Sequence, residues 1–124
     1  MEVEDFIKAI SPLLKKYGFK KSNSTWRRNQ SESIAVLNVQ KSQWGGGKFY
    51  INLGAYFREF GSEQVPTENR CHVRVRLQVN DPSNTVDSAI AWFDARATLE
   101  GAKGLAKGDS EKGLVFKELL NGIT

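Results

Sequence analysis

Two neighbouring stretches of this 124-residue chain carry strand patterning, and the link between them is too short to let them run in the same direction. From Lys48 to Arg58, the residues Phe49, Ile51, Leu53, Ala55 and Phe57 alternate with Tyr50, Asn52, Gly54, Tyr56 and Arg58. A strand places those two sets on opposite faces, one for the core and one amphipathic. Ser33 to Ser42 alternates less cleanly: Ile34 and Val36 share a face with Asn38 and Gln40, while Ala35, Leu37 and Val39 form the other. Apolar residues on both faces predict a central strand, covered on both sides for part of its length. The link Gln43 to Gly47 falls short of the roughly twelve residues that a parallel crossover needs, so the two strands pair as an antiparallel hairpin.

The remaining chain supplies partners for this hairpin. Val3, Phe6, Ile7, Ile10, Leu13, Leu14 and Tyr17 recur at spacings of three and four, which predicts an amphipathic helix closed by Gly18. Pro12 inside it removes a backbone donor, and a kink or break is expected at residues 10–12. A short, charged strand at Thr25 to Arg28 is expected at the sheet edge. After a polar loop from Glu59 to Arg70, Cys71, Val73, Val75, Leu77 and Val79 alternate with His72, Arg74, Arg76 and Gln78, which predicts a third long strand. The turn residues Asp81-Pro82-Ser83-Asn84 end it. A helix from Thr85 or Asp87 to about Leu99 follows, then a loose connection at Gly101, Gly104 and Gly108. A last helix is expected from about Ser110 to Leu120, stopped by Asn121-Gly122. The expected fold class is α+β: one domain over residues 1–124, with an antiparallel sheet of about four strands packed by an N-terminal and two C-terminal helices.

Charge and cysteine usage exclude several classes. Cys71 is the only cysteine and His72 the only histidine, so neither an internal disulfide nor a histidine-based metal cluster can form, and no cofactor is expected. Adjacent strand residues face opposite ways, so Cys71 and His72 do not make a nucleophile and base dyad. The acidic start Glu2, Glu4 and Asp5 is unlike an export signal, and no apolar run approaches the ~18 residues that cross a bilayer. A reducing cytoplasm and no membrane partner are the expectation. The net charge of +4 is concentrated in the middle: residues 15–76 carry twelve bases against four acids, while both flanking segments are net acidic.

The sequence G-G-G-K at 45–48 lacks both the following serine or threonine and the following helix of a phosphate loop, and reads as a flexible hairpin loop. Trp44 beside it has two placements: folded back onto the core, which is favoured here, or offered to a partner at the rim. The distinctive feature is the polar sheet face, on which Asn52, Tyr56, Arg58, His72, Arg74 and Arg76 are expected together with Asn38, Gln40, Tyr50 and Gln78. Arginine, tyrosine and side-chain amides offer forked donors, stacking surfaces and neutral hydrogen bonds, suited to a carboxylate, a phosphate or a splayed base.

The segments G-F-K-K at 18–21, W-R-R at 26–28, Q-K-S-Q-W at 40–44, F-Y-I-N-L-G at 49–54 and C-H-V-R-V-R-L at 71–77 resemble, in order and spacing, a small and mostly bacterial family catalogued as domain of unknown function 4304. The likeness covers about residues 1–100 and implies a single-domain α+β protein without an assigned activity, cofactor or catalytic residue. The function expected from the residues is a non-catalytic binding or protein-interaction module of accessory or immunity type. Its polar face, with Trp44 at the rim, would meet a protein or an anionic ligand, and the chain would be a monomer or a homodimer. The alternative is a nucleic-acid-binding domain using Lys20, Lys21, Arg27 and Arg28 of the basic segment 15–28. A third reading is an enzyme acting on a small anionic substrate, for which His72 is the only side chain that ordinarily titrates near neutrality.

Overall fold

The computed structural model describes residues 1–121. The first apolar periodicity forms α1 (Val3–Lys16), with Val3, Phe6, Ile10 and Leu14 buried on one stripe. Each large buried side chain contributes about 1.5–3 kcal/mol relative to exposure. Contrary to the expected break, α1 is continuous through Pro12. Pro12 lies on the exposed side, where water can satisfy the carbonyl it leaves unpaired, while Ile10 and Leu14 hold both halves against the sheet. The Ser11 hydroxyl donates to the Ile7 carbonyl at 2.6 Å. Gly18 ends the helix with φ of 89°, and the Phe19 N–H bonds back to the Leu14 carbonyl at 3.0 Å.

Among the described residues the sheet has six strands rather than about four: β1 (Lys20–Ser22), β2 (Thr25–Asn29), β3 (Ser33–Lys41), β4 (Phe49–Phe57), β5 (Val73–Leu77) and β6 (Leu114–Val115). Each pairs antiparallel with the next in the chain. The two additional strands are three and two residues long, too short to leave a periodic signal. With β1 outside it, β2 is not the edge. The central hairpin pairs as expected, from Ser33 opposite Phe57 to Lys41 opposite Phe49.

Register separates the two faces. Leu37 stands beside Trp26 and Leu53, and Leu53 beside Val75, so these share the helix-covered face. The helices are α1, α2 (Pro82–Asp94), α3 (Leu99–Lys112) and the short α4 (Lys117–Asn121). Helices α1 and α2 pack Phe6, Ile10, Leu14, Val86, Ile90 and Phe93 onto β2 to β4, forming the larger core. A second core joins Ala55, Phe57 and Val73 to Ala102, Ala106 and Leu119.

The C-terminal third corrects the expectation. Asp81-Pro82 starts α2, because the Asp81 carboxylate accepts the Asn84 N–H at 3.2 Å and proline is preorganised for the first helical position. Gly101, Gly104 and Gly108 lie inside α3, and the expected last helix gives way to β6 followed by α4. Glycine costs about 1 kcal/mol in a helix interior. Here Thr98 caps the N-terminus, and the fully buried Ala102 and Ala106 let the helix approach the sheet closely. Residue 101 has to be small, since a β-carbon there would stand 2.7 Å from the Ala95 carbonyl oxygen. Gly122, half of the expected stop, lies outside the described residues.

The other sheet face is half covered. Residues 58–72 form a strap with two single helical turns, Arg58–Phe60 and Glu68–Arg70. The strap seats Cys71 against Ile34, Val36 and Tyr56. Cys71 therefore belongs to the strap side and not to the helix-side row with Val73 and Val75. The phase slips at His72, whose N–H donates to the Ala55 carbonyl at 3.0 Å and whose Nδ1 accepts the Phe57 N–H at 2.9 Å. The imidazole replaces a strand residue opposite Phe57 and so delays β5 to Val73.

Candidate binding face of the sheet

Beyond the strap, the polar face is open, and its side chains bond to one another across four strands. Asn38 stands opposite Asn52, and Asn52 opposite Arg76, in one register row. Asn52 is 6% exposed and organises the group. Its amide nitrogen donates to Gln40 Oε1 at 2.9 Å and Asn38 Oδ1 at 3.4 Å, while its oxygen accepts from Arg76 Nε at 3.1 Å. Asn38 in turn donates to the Thr25 hydroxyl at 3.0 Å. The Arg76 guanidinium lies 4.2 Å over the Tyr50 ring, a stacking and cation–π arrangement that fixes its plane. Arg76 also donates from one terminal nitrogen to Gln40 at 3.4 Å, leaving further donors of its fork directed to solvent. An exposed, flat and preoriented cation is suited to bidentate contact with a carboxylate or phosphate.

Next to it, a cleft of about 440 Å³ is lined by Asn52, Glu68, Arg74, Arg76, Lys112 and Leu114. Arg74 faces this cleft with its charge already paired: Nε lies 3.1 Å from Glu68 Oε1 on the strap, with both side chains largely buried. Trp44 sits at the end of the β3–β4 hairpin, 86% exposed, ahead of three glycines that all have positive φ. The core placement favoured from sequence is thus incorrect. The loop closes through the Ser42 N–H, which donates to the Lys48 carbonyl at 2.9 Å.

Three expected members are elsewhere. Tyr56 is buried under the strap, its hydroxyl accepting the Glu63 N–H at 3.0 Å. Arg58 lies past the end of β4 and secures the β2–β3 turn, donating to the Gln30 carbonyl at 3.0 Å and Asn29 Oδ1 at 3.0 Å. His72, buried by the phase slip, packs among the rings of Tyr56, Phe60 and Phe116. Glu68 and Lys112 complete the cleft, and neither was legible as a site residue. Lys112 follows a glycine-rich segment that reads as a connection, and Glu68 sits in a loop.

The basic segment is divided. Register places Lys20 and Arg27 on the polar face and Lys21 and Arg28 on the helix side. Arg27 Nε donates to the Pro66 carbonyl at 2.7 Å, tying the strap to β2. Arg28 donates to the Tyr17 carbonyl at 3.1 Å and pairs with Asp94 at 2.9 Å, joining the ends of α1 and α2. Lys20 and Lys21 are exposed, with the Lys21 ammonium 5.7 Å over the Trp26 ring.

For covalent chemistry, burial pushes the Cys71 thiol up to about 12, with the Glu68 carboxylate adding to the shift, so it is not a thiolate near neutrality. Among the described residues, no three His, Cys, Asp or Glu side chains converge to hold a metal ion. No helix among them is long and apolar enough to cross a membrane.

The family model of a domain of unknown function, DUF4304, matches residues 10–100. The chain belongs to this family. No curated protein and no solved structure matches it. The segment matched to DUF4304 holds β1 to β5, the strap and α2, and therefore the whole Asn38, Asn52 and Arg76 row; Lys112 and β6 lie after it.

Proposed function

We propose that this chain is a non-catalytic protein-interaction module whose open polar face takes an acidic, extended segment of a partner protein, with Trp44 as an apolar anchor at the rim. An accessory or immunity-type role, in which the partner's surface is masked, is consistent with such a face. The observation that carries the reading is the Arg76 guanidinium, held flat by Asn52, Gln40 and Tyr50 before any ligand arrives. A charge whose orientation is already fixed loses less entropy on binding.

The adjacent sheet edge supports an extended partner. The His72 carbonyl accepts the Phe116 N–H at 2.9 Å, and β6 then pairs only as far as Arg74. In an antiparallel ladder the outward-facing backbone positions alternate, so Arg76 is the next such position, and no described strand lies opposite it. An added strand would meet the Arg76 main chain and side chain together. A second copy of this chain paired there about a two-fold axis would bring the two Arg76 side chains near each other, a like-charge arrangement that is destabilising. An acidic segment has the complementary charge.

The test is affinity capture from a bacterial lysate, comparing the tagged protein with Arg76→Ala and Trp44→Ala, each with and without nuclease. A protein retained by the parent through nuclease treatment and lost with both variants is the expected result. Equal retention by all three would refute the face, and material released by nuclease would transfer the function to nucleic-acid binding.

A further inference from the structure

A second concavity lies between the C-terminal half of α1 and the β1–β2 hairpin, with a volume of about 400 Å³. Pro12, Phe19 and Trp26 give it an apolar lining, and Lys15, Lys20 and Lys21 stand around it. Lys20 and Lys21 point to opposite faces of β1, yet both reach the groove because β1 is the outermost strand.

Two further observations mark it. Trp26 is 1% exposed, and its indole Nε1 is buried without a hydrogen-bond partner among the described residues. Buried indole N–H groups ordinarily find an acceptor, and leaving one unmade costs about 1–3 kcal/mol. In addition, among the described residues none of Lys15, Lys20 and Lys21 is in an ion pair and no carboxylate lines the groove. The result is an apolar slot with surplus positive charge around it and a donor without an acceptor in its wall.

We infer that this groove binds a small amphipathic carboxylate, an anion carrying an alkyl or aryl tail. The tail packs against Phe19, Pro12 and the indole, and the carboxylate is held by Lys20 and Lys21. Lys21 is the movable part: its ammonium lies 5.7 Å over the Trp26 ring, and its side chain is exposed. Swinging onto the carboxylate takes the ammonium off the ring face and brings the ligand beside the residue whose Nε1–H lacks an acceptor among the described residues. Inorganic phosphate lacks the tail and a neutral alcohol lacks the charge, so neither satisfies both halves of the site. The volume is within the usual ~300–1,000 Å³ range of small-molecule pockets.

The experiment is a titration of the ¹⁵N-labelled chain with octanoate, with 1-octanol and with inorganic phosphate, following the indole N–H resonances. Trp44→Phe and Trp92→Phe each remove one of the three indole signals, and the remaining signal is Trp26. Octanoate is expected to move the Trp26 signal saturably while Trp44 stays still. Lys20→Ala with Lys21→Ala, both on exposed side chains, is expected to weaken binding by about tenfold or more, the loss of a charge-assisted contact. An unmoved Trp26 signal would overturn the site. Octanol or phosphate binding as well as octanoate, or full affinity in the lysine variant, would overturn the amphipathic anion as its ligand.

Discussion

A β-carbon on Gly54 would stand 2.6 Å from the sulfur of Cys71, so the strap closes over the sheet only because residue 54 has no side chain. Gly54→Ala is expected to cost about 1–3 kcal/mol, the usual penalty of overpacking a filled site. Urea denaturation measures it, and a loss below about 0.5 kcal/mol, within the range of an ordinary surface change, would mean that the strap is not seated there.

Cys71 also sets a pH dependence. Its thiol is raised from an ordinary 9.0 to about 12 in the folded chain, chiefly by burial. The neutral thiol is the form the fold favours, so this contribution is complete below about pH 9 and is lost as pH rises toward about 12. Comparing Cys71→Ala with the parent removes the background from other alkaline titrations. The parent should lose ground to the variant as pH rises above about 9, whereas a difference that stays constant from about pH 7 to about pH 10 would contradict the burial. Near neutrality, the native thiol should resist disulfide reagents that modify it once the chain is unfolded.

Arg96 and Asp109 join the end of α2 to α3 through a pair with side chains only 8% and 12% exposed. Arg96 Nε lies 2.9 Å from Asp109 Oδ2, and NH1 donates to the Trp92 carbonyl at 2.9 Å. Asp109→Ala leaves a buried cation unpaired and is expected to cost about 3–5 kcal/mol. The double change Arg96→Met with Asp109→Leu should cost clearly less, because neither charge then remains. Equal losses in thermal melts would show that packing, rather than the pair, holds this junction.

His72→Phe tests the phase slip. The ring can still pack among Tyr56, Phe60 and Phe116, but the Phe57 N–H loses its acceptor, at a cost of about 1–3 kcal/mol. Amide exchange at Phe57 should accelerate in the variant more than at Leu53 in the middle of β4. Unchanged protection of Phe57 would remove the imidazole from the ladder.

The parts of the molecule legible from sequence were those with a long period. The β3–β4 hairpin, α1 and the α+β class follow from alternation and helical spacing over nine residues or more. The open row of Asn38, Asn52 and Arg76 was legible because each residue alternates with core residues in its own strand. The Tyr56, Arg58 and His72 placements were not, because they depend on the strap and on a side chain entering a backbone ladder. Neither leaves a periodic trace. The glycines of α3 misled for a related reason: propensity reads them as a linker, whereas the buried Ala102 and Ala106 seat the segment on the sheet as a helix, with Gly104 and Gly108 facing open space. Trp44 was misplaced because a loop aromatic has no period at all.

The arginine contacts described above extend to the whole chain, and they divide its basic residues into two populations. Each of the seven arginines bonds to a carbonyl, an amide or a carboxylate. Among the described lysines only Lys41 is in an ion pair, at 3.0 Å from Glu4. Isoelectric point and architecture are therefore separately adjustable in this protein. Acylating the lysines would shift its electrophoretic mobility while leaving the cross-links of the scaffold intact, whereas exchanging every arginine for lysine would preserve the mobility and dismantle them.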